Sequence, residues 1–171
     1  APRTGGLMES GWTRCVVALG SNLGDREDIE YQAAADIAAT EGFRLVAASS
    51  LHETQALGLD GPNPEAPRYL NQVLLVDSDW SAQKTLEHLL AIETLHGRSR
   101  DGVTYADRTL DLDLITYGSD IFATADLTLP HPRAHERRFV LEPWVEIDPE
   151  AEIPGHGRVS QLLAALPVET P

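Results

Sequence analysis

An α+β fold of the ferredoxin-like kind is what the order of periodic segments predicts for this 171-residue sequence. The expected form is a βαββαβ antiparallel sheet with packed helices and an extra C-terminal hairpin and helical extension. Three observations carry that expectation. Strand-like runs fall at 14–19, 45–54, 69–77 and 110–117. Helical patterns at 26–40 and 81–97 sit between the first and second runs and between the third and fourth, which is the split βαβ order. Two shorter helical patterns, near 137–148 and 158–165, remain to close the chain. There are no internal repeats, low-complexity tracts or heptads.

Each element has a local reason. Residues 1–7 lack periodicity and precede the only methionine, Met8, so they are read as an added remnant or disordered tail, with 8–171 as one domain. Cys15-Val16-Val17-Ala18-Leu19 is a short apolar run suited to a buried strand, and Gly20-Ser21-Asn22-Leu23-Gly24-Asp25 then reads as a turn into a helix. Asn22 or Asp25 supplies the cap, and Ile29, Ala33, Ile37 and Ala38 the inner face. That turn is either an anion cradle at the helix start or a plain strand-to-helix connection. The Gly- and Pro-rich stretch 55–68 reads as a long loop of the lid or disordered type. The strand at 69–77 holds Tyr69, Asn71 and the run from Val73 to Val76. In the helix at 81–97, Ala82, Leu86, Leu89 and Leu90 form one stripe with Glu93 in its middle. A carboxylate there either escapes to water at the helix end or aims at a ligand beside the sheet. The polar segment 98–108 reads as a second mobile loop, and Leu127-Thr128-Leu129-Pro130 as a short edge strand closed by proline.

Composition narrows the function classes. A formal charge of −14 argues against nucleic-acid binding, which wants a basic stripe. No apolar run reaches the roughly 18–20 residues of a membrane span, and no signal peptide opens the chain, so cytoplasm is the expected location. Cys15 is the only cysteine, which excludes an internal disulfide and suits a buried structural thiol. Of the thirteen basic residues, six (Arg98, Arg100, Arg108, Arg133, Arg137, Arg138) lie between 98 and 138. Nearly all are arginine, whose planar fork grips phosphate. No P-loop or protein-kinase motif is present.

The stretch Arg108-Thr109-Leu110-Asp111-Leu112-Asp113-Leu114-Ile115 gives that basic island a purpose. On a strand, Asp111 and Asp113 point to one face and Leu110, Leu112 and Leu114 to the other. Two aspartates on one face repel unless a cation lies between them. At roughly 6–7 Å apart they can bracket one divalent ion or a close pair, with phosphates and waters completing the shell. Strict alternation places Arg108 on the opposite face, so the chain must bend near Thr109 or the strand must start after Arg108.

Taken in order, these pieces resemble the 6-hydroxymethyl-7,8-dihydropterin pyrophosphokinases of folate biosynthesis, in register from about Val16 to Pro154. The carriers are Ala18-Leu-Gly-Ser-Asn-Leu23, Glu53-Thr54 with Leu57-Gly58, Tyr69-Leu-Asn71, Ile92-Glu93 with Gly97-Arg98-Ser-Arg100, Arg108-Thr-Leu-Asp-Leu-Asp113, and Pro130-His131 with Arg137 and Phe139. The resemblance implies transfer of the pyrophosphoryl group of ATP to the pterin hydroxymethyl oxygen, with release of AMP. It implies that Asp111 and Asp113 hold two Mg²⁺ ions and that Arg98 and Arg108 neutralise charge developing on the phosphates. Glu93, Arg100, Leu114, Thr128, His131 and Arg137 would hold ATP. Thr54, Leu57, Tyr69, Asn71 and Phe139 would hold the pterin, a flat ring that gains from aromatic faces and an amide. Partners would be small molecules alone, with no nucleic acid or membrane, and the chain would act as a monomer.

The sequence also departs from that family. Thr104-Tyr105-Ala106-Asp107 stands where an Arg-Trp-Gly-Pro is common, Gln55-Ala56 replaces a Pro-Pro, and Pro132 follows His131 in place of an aromatic. These bear on rate and nucleotide affinity. Two rival readings are a metal-dependent nucleotidyltransferase, which would release pyrophosphate, and a non-catalytic ligand-binding domain, which would not need the Asp pair.

Overall fold

The computed structural model describes residues 11–22, 26–55, 57–58, 61–62, 68–97 and 109–166. Within these, the side chains at 22, 26–28, 54–55, 57–58, 61–62, 68–69, 97 and 109 lie outside the description. Strands β1 (Thr13–Asn22), β2 (Phe43–Ala48), β3 (His52–Gln55), β6 (Arg68–Ser78) and β7 (Thr109–Tyr117) form the main sheet. Its order is β2-β6-β1-β7, with β3 also on β6, and every pairing is antiparallel. That is the ferredoxin-like strand order expected from the sequence.

Helices α1 (Arg26–Ala39) and α2 (Ala82–Gly97) cover one face of the sheet, where Cys15, Val17, Leu19, Leu74, Leu112 and Leu114 are buried. Helices α3 (Arg138–Ile147) and α4 (Val159–Ala165) cover part of the other, over Val16, Val73, Leu75 and Ile115. Sheet residues are apolar on both faces because both faces are packed, which is why β1 and β6 read as continuous apolar runs. A bulge in β7 changes its phase. Val16 pairs with Thr116 but Val17 pairs with Leu114, so Ile115 is the extra residue. Asp111, Asp113 and Ile115 therefore face the α3 side, while Tyr117 rejoins the α1–α2 core and donates its hydroxyl to the carbonyl of Trp80 at 2.7 Å.

Several sequence expectations need correction. The strand expected at 14–19 runs on through Asn22, because Ser21 and Asn22 find partners on both β6 and β7. The run 45–54 splits into β2 and β3. Between them Ser49 turns onto β6, taking the amide of Val73 on its hydroxyl at 3.0 Å and donating its own amide to the Val73 carbonyl at 2.9 Å. The stretch read as the loop 55–68 contains a small hairpin, β4 (Leu57–Gly58) with β5 (Gly61–Pro62). The edge strand near 127–130 is β9 (Thr128–Leu129), and its partner β8 (Phe122–Ala123) went unrecognised. The extension also includes a hairpin of β10 (Glu152–Ile153) and β11 (Gly157–Arg158). On α1, Ala33 and Ile37 are buried and Ile29 packs against the same core, but Ala38 is exposed and Glu30 is buried. On α2, Leu90 is 44% exposed, at the rim of the α2 contact with β7.

Cys15 is buried, as expected of a structural thiol. Burial first, and the charge of Asp77 second, push its ionisation far above the ordinary thiol range. The segment 98–108, with Arg98, Arg100, Arg108 and the departures at 104–107, lies outside the described residues. Among the described residues β7 runs from Thr109 to Tyr117.

Candidate active site

The Asp pair owes its setting to the strand beside it. In the β1–β7 ladder Asp111 stands opposite Gly20, and Asp113 opposite Ala18. In the β1–β6 ladder Gly20 stands opposite Asn71, and His52 of β3 is paired with Asn71 in turn. One row across the sheet therefore reads His52, Asn71, Gly20, Asp111. Cross-strand partners share a face, so only hydrogen separates the Asn71 amide from the carboxylate side of the row. A Cβ on Gly20 would meet Asn71 Oδ1 at 3.5 Å, and anything larger would fill the lane. Helix α3 covers the far end of this face, and among the described residues no helix covers this end: Asp111 is exposed and Asp113 half-buried. Partial burial first, and then the charge of Asp113, push the Asp111 carboxyl above its usual range. A cation between the two would relieve both penalties. Among the described residues no three His, Cys, Asp or Glu side chains converge on a point. Two carboxylates completed by phosphate and water are a Mg²⁺ donor pattern, so the residues present fit that ion.

On the outer edge of β7 lies a cavity of about 260 Å³, walled by α2 and the β8–β9 hairpin. It gathers Glu93, Asp113, Leu114, Thr128 and His131, all singled out from the sequence, and adds Asp126 at the hairpin. Leu86, Leu90 and Leu127 supply apolar wall. A mixed lining of this kind suits a nucleoside, with apolar surface for the base and polar groups for the rest.

Glu93 is settled by neither of its two sequence alternatives alone. Its Oε2 accepts the backbone amide of Leu112 at 2.9 Å. That amide belongs to the residue between the two aspartates and points off the free edge of β7. The carboxylate thus caps the edge and fixes the strand that carries the Asp pair. Glu93→Ala is expected to strand this partly buried amide and cost about 1–3 kcal/mol, whereas Glu93→Gln keeps an acceptor and costs much less. Urea unfolding of the two variants checks the difference.

His131 is held through its backbone, which donates to the Ile115 carbonyl at 2.9 Å, just after the cis peptide between Leu129 and Pro130. Its Nδ1 accepts the Arg133 amide at 3.4 Å, which assigns the proton of the neutral ring to Nε2. Burial lowers its ionisation, and Arg137 and Arg133 add to that against the opposing pull of Asp113. The net shift is downward, so His131 enters the cavity as a neutral imidazole donor.

The residues expected at the pterin lie on β3, β4, β6 and α3. Asn71 is buried on β6, and its amide donates to the His52 carbonyl at 3.5 Å. Phe139, 40% exposed, opens α3, with the Arg137 guanidinium 5.5 Å from its ring centre. Thr54 pairs with Tyr69 in the β3–β6 ladder, and Tyr69 pairs with Asn22 on β1; Leu57 opens the small hairpin. The side chains of Thr54, Leu57 and Tyr69 lie outside the description. Sequence reasoning missed three things. Gly20 and Ala18 are the lane beside the Asp pair, Asp126 joins the cavity, and the Leu112 amide is the partner of Glu93. The small residues in β1 were visible, but only the register makes them a lane.

The chain matches the family described as 7,8-dihydro-6-hydroxymethylpterin-pyrophosphokinase (HPPK) over residues 16–149. It is 38% identical over 157 residues to a 2-amino-4-hydroxy-6-hydroxymethyldihydropteridine pyrophosphokinase of Pseudomonas aeruginosa, covering 91% of this chain and 93% of that one. A Haemophilus influenzae protein of the same name is 33% identical over 147 residues, covering 86% and 89%. Among solved structures, Plasmodium falciparum HPPK-DHPS with pterin and p-hydroxybenzoate aligns with a TM-score of 0.68 at 12% identity. That match covers 92% of this chain but 44% of the larger one, and at this identity it speaks to the fold alone.

Proposed function

We infer the reaction from kinship: the chain belongs to the 7,8-dihydro-6-hydroxymethylpterin-pyrophosphokinase family. It transfers the pyrophosphoryl group of ATP to the hydroxymethyl group of 6-hydroxymethyl-7,8-dihydropterin, with Mg²⁺, releasing AMP in tetrahydrofolate biosynthesis. The observation that carries this onto particular residues is the position of the Asp pair. It lies between Asn71, two strands away across Gly20, and the edge cavity.

In this reading ATP takes the cavity, with Leu114 and Thr128 at the nucleoside and Glu93 holding the strand beneath it. His131 donates from Nε2 to phosphate oxygen, and Arg137 and Arg100 add charge. The pterin lies against Phe139 and Tyr69, with Asn71 and the segment Thr54–Leu57 reading its polar edge. The hydroxymethyl oxygen then approaches the β-phosphorus along the Gly20 lane, in line with the departing AMP oxygen. Asp111 and Asp113 hold the magnesium, two ions in our reading, which when bound neutralises the phosphates and polarises them toward attack. Arg98 and Arg108 would neutralise charge developing on the same phosphates. In this reading residues 8–171 form one catalytic unit that acts as a monomer in the cytoplasm. Among the described residues no helix is long and apolar enough to cross a membrane.

Incubation with 6-hydroxymethyl-7,8-dihydropterin, ATP and Mg²⁺, with AMP, ADP and pyrophosphate resolved, tests the reaction. Pterin-dependent AMP without free pyrophosphate is expected. Free pyrophosphate would point to nucleotidyl transfer instead, and no pterin-dependent product would exclude both.

A further inference from the structure

We propose that His52 is a positioning residue for the pterin site: clamped by Glu142 and Glu146, it fixes β3 against α3 and sets the gap between Asn71 and Phe139. The proposal rests on the reaction and pterin site given above.

The two halves of that site arrive on elements with no ladder between them. Asn71 and Tyr69 are paired to β3, which carries Thr54, whereas Phe139 stands in the first turn of α3. A strand and a helix cannot exchange a regular set of backbone hydrogen bonds, so side chains must set their separation. The His52 ring does this through Nε2, with Glu142 standing beside its other nitrogen. Nε2 lies 2.7 Å from Glu146 Oε1, and Nδ1 lies 3.7 Å from Glu142 Oε1. Glu142 and Glu146 are four residues apart on α3 and share a helix face.

The clamp is braced on each side. Ser50, just before β3, donates its amide to Glu146 Oε2 at 2.8 Å and its hydroxyl to Glu146 Oε1 at 2.9 Å. The Ser50 hydroxyl also sits 3.3 Å from His52 Nε2. Arg138 Nη1 donates to Glu142 Oε2 at 3.5 Å from the opening turn of the same helix. The hydrogen bonds from His52, foremost, and from Ser50 hold the Glu146 carboxyl below its usual range, so it stays ionised. The two carboxylates address opposite ring nitrogens and therefore do not converge as ligands to one metal. On the other side His52 is continuous with the site: it pairs with Asn71, whose amide donates to the His52 carbonyl. Phe139 lies three residues before Glu142. Each end of the clamp is thus one or two residue contacts from a pterin-facing group.

A surface ion pair is ordinarily worth little to stability. Its effect here falls on geometry, and steady-state kinetics of the full chain separates the two. His52→Ala, Glu146→Gln and the double variant are compared with pterin varied at saturating ATP, and then with ATP varied at saturating pterin. Each single variant is expected to raise the KM for pterin about three- to fivefold, with kcat and the KM for ATP within about twofold. The double variant should show no further rise, since both changes remove one interaction. A pterin KM unchanged in the folded variants would overturn the proposal. So would a fall in apparent kcat that tracks melting temperature while both KM values stay unchanged, which is the signature of a purely structural contact. Absence of pterin-dependent AMP in the unsubstituted chain would instead overturn the reaction, and this inference with it.

Discussion

Asp113→Ala should lower pterin-dependent AMP formation by about a thousandfold or more while leaving the fold intact. The loss follows from what the side chain does. It is half-buried on the face of Asp111 and reaches the edge cavity, and in the reading proposed above it serves both the metal and the nucleotide. Removing one fixed charge-stabilising group commonly costs a factor of about 10² to 10³. Loss of metal affinity adds to that. The fold should persist because the alanine removes one of two like charges on a single face, and Asp111 then loses a neighbour that raises its ionisation. The check is an AMP assay beside a thermal melt in metal-free buffer. Activity close to normal in a folded variant would remove the Asp pair from the mechanism.

Trp144→Ala should destabilise the chain by about 3–5 kcal/mol, the usual cost of deleting a large buried aromatic. Trp144 is 2% exposed in the second core, packed among Val16, Val73, Leu75, Ile115 and Leu141. It seats α3 on the sheet. Against a typical total of roughly 5–15 kcal/mol, that loss brings the chain close to unfolding. Urea titration measures it. A second consequence is kinetic: with α3 loosened, Phe139 and Arg137 lose their placement, so the pterin KM should rise even where the protein remains folded.

What could be read from the sequence was whatever has a short period. Alternation alone puts Asp111 and Asp113 on one face. Helical spacing placed α1 and α2 to within a residue or two, and the order of segments gave the sheet topology. What could not be read depends on partners far along the chain. Gly20 becomes a lane only when the register sets it between Asn71 and Asp111. The extra residue at Ile115 exists only against the count of β1. Ser49 breaks its strand because Val73 offers both a donor and an acceptor. A helical wheel could not say which of two adjoining rows meets the sheet, which is how Ala38 and Leu90 came to be expected inside. For Glu93 the sequence posed a ligand or water, and the structure supplied a backbone amide.

The outer margin of β7 has one more consequence, for behaviour at high protein concentration. A bare strand margin is a template on which another polypeptide can lengthen the sheet, the first step of many aggregates. Along β7 that template is already interrupted. Glu93 occupies the Leu112 amide, His131 occupies the Ile115 carbonyl, and the β8–β9 hairpin stands alongside. The opening that remains is shaped for a small molecule and offers a foreign strand no unbroken run of partners. The contacts that shape the edge cavity therefore also guard the protein against sticking to itself.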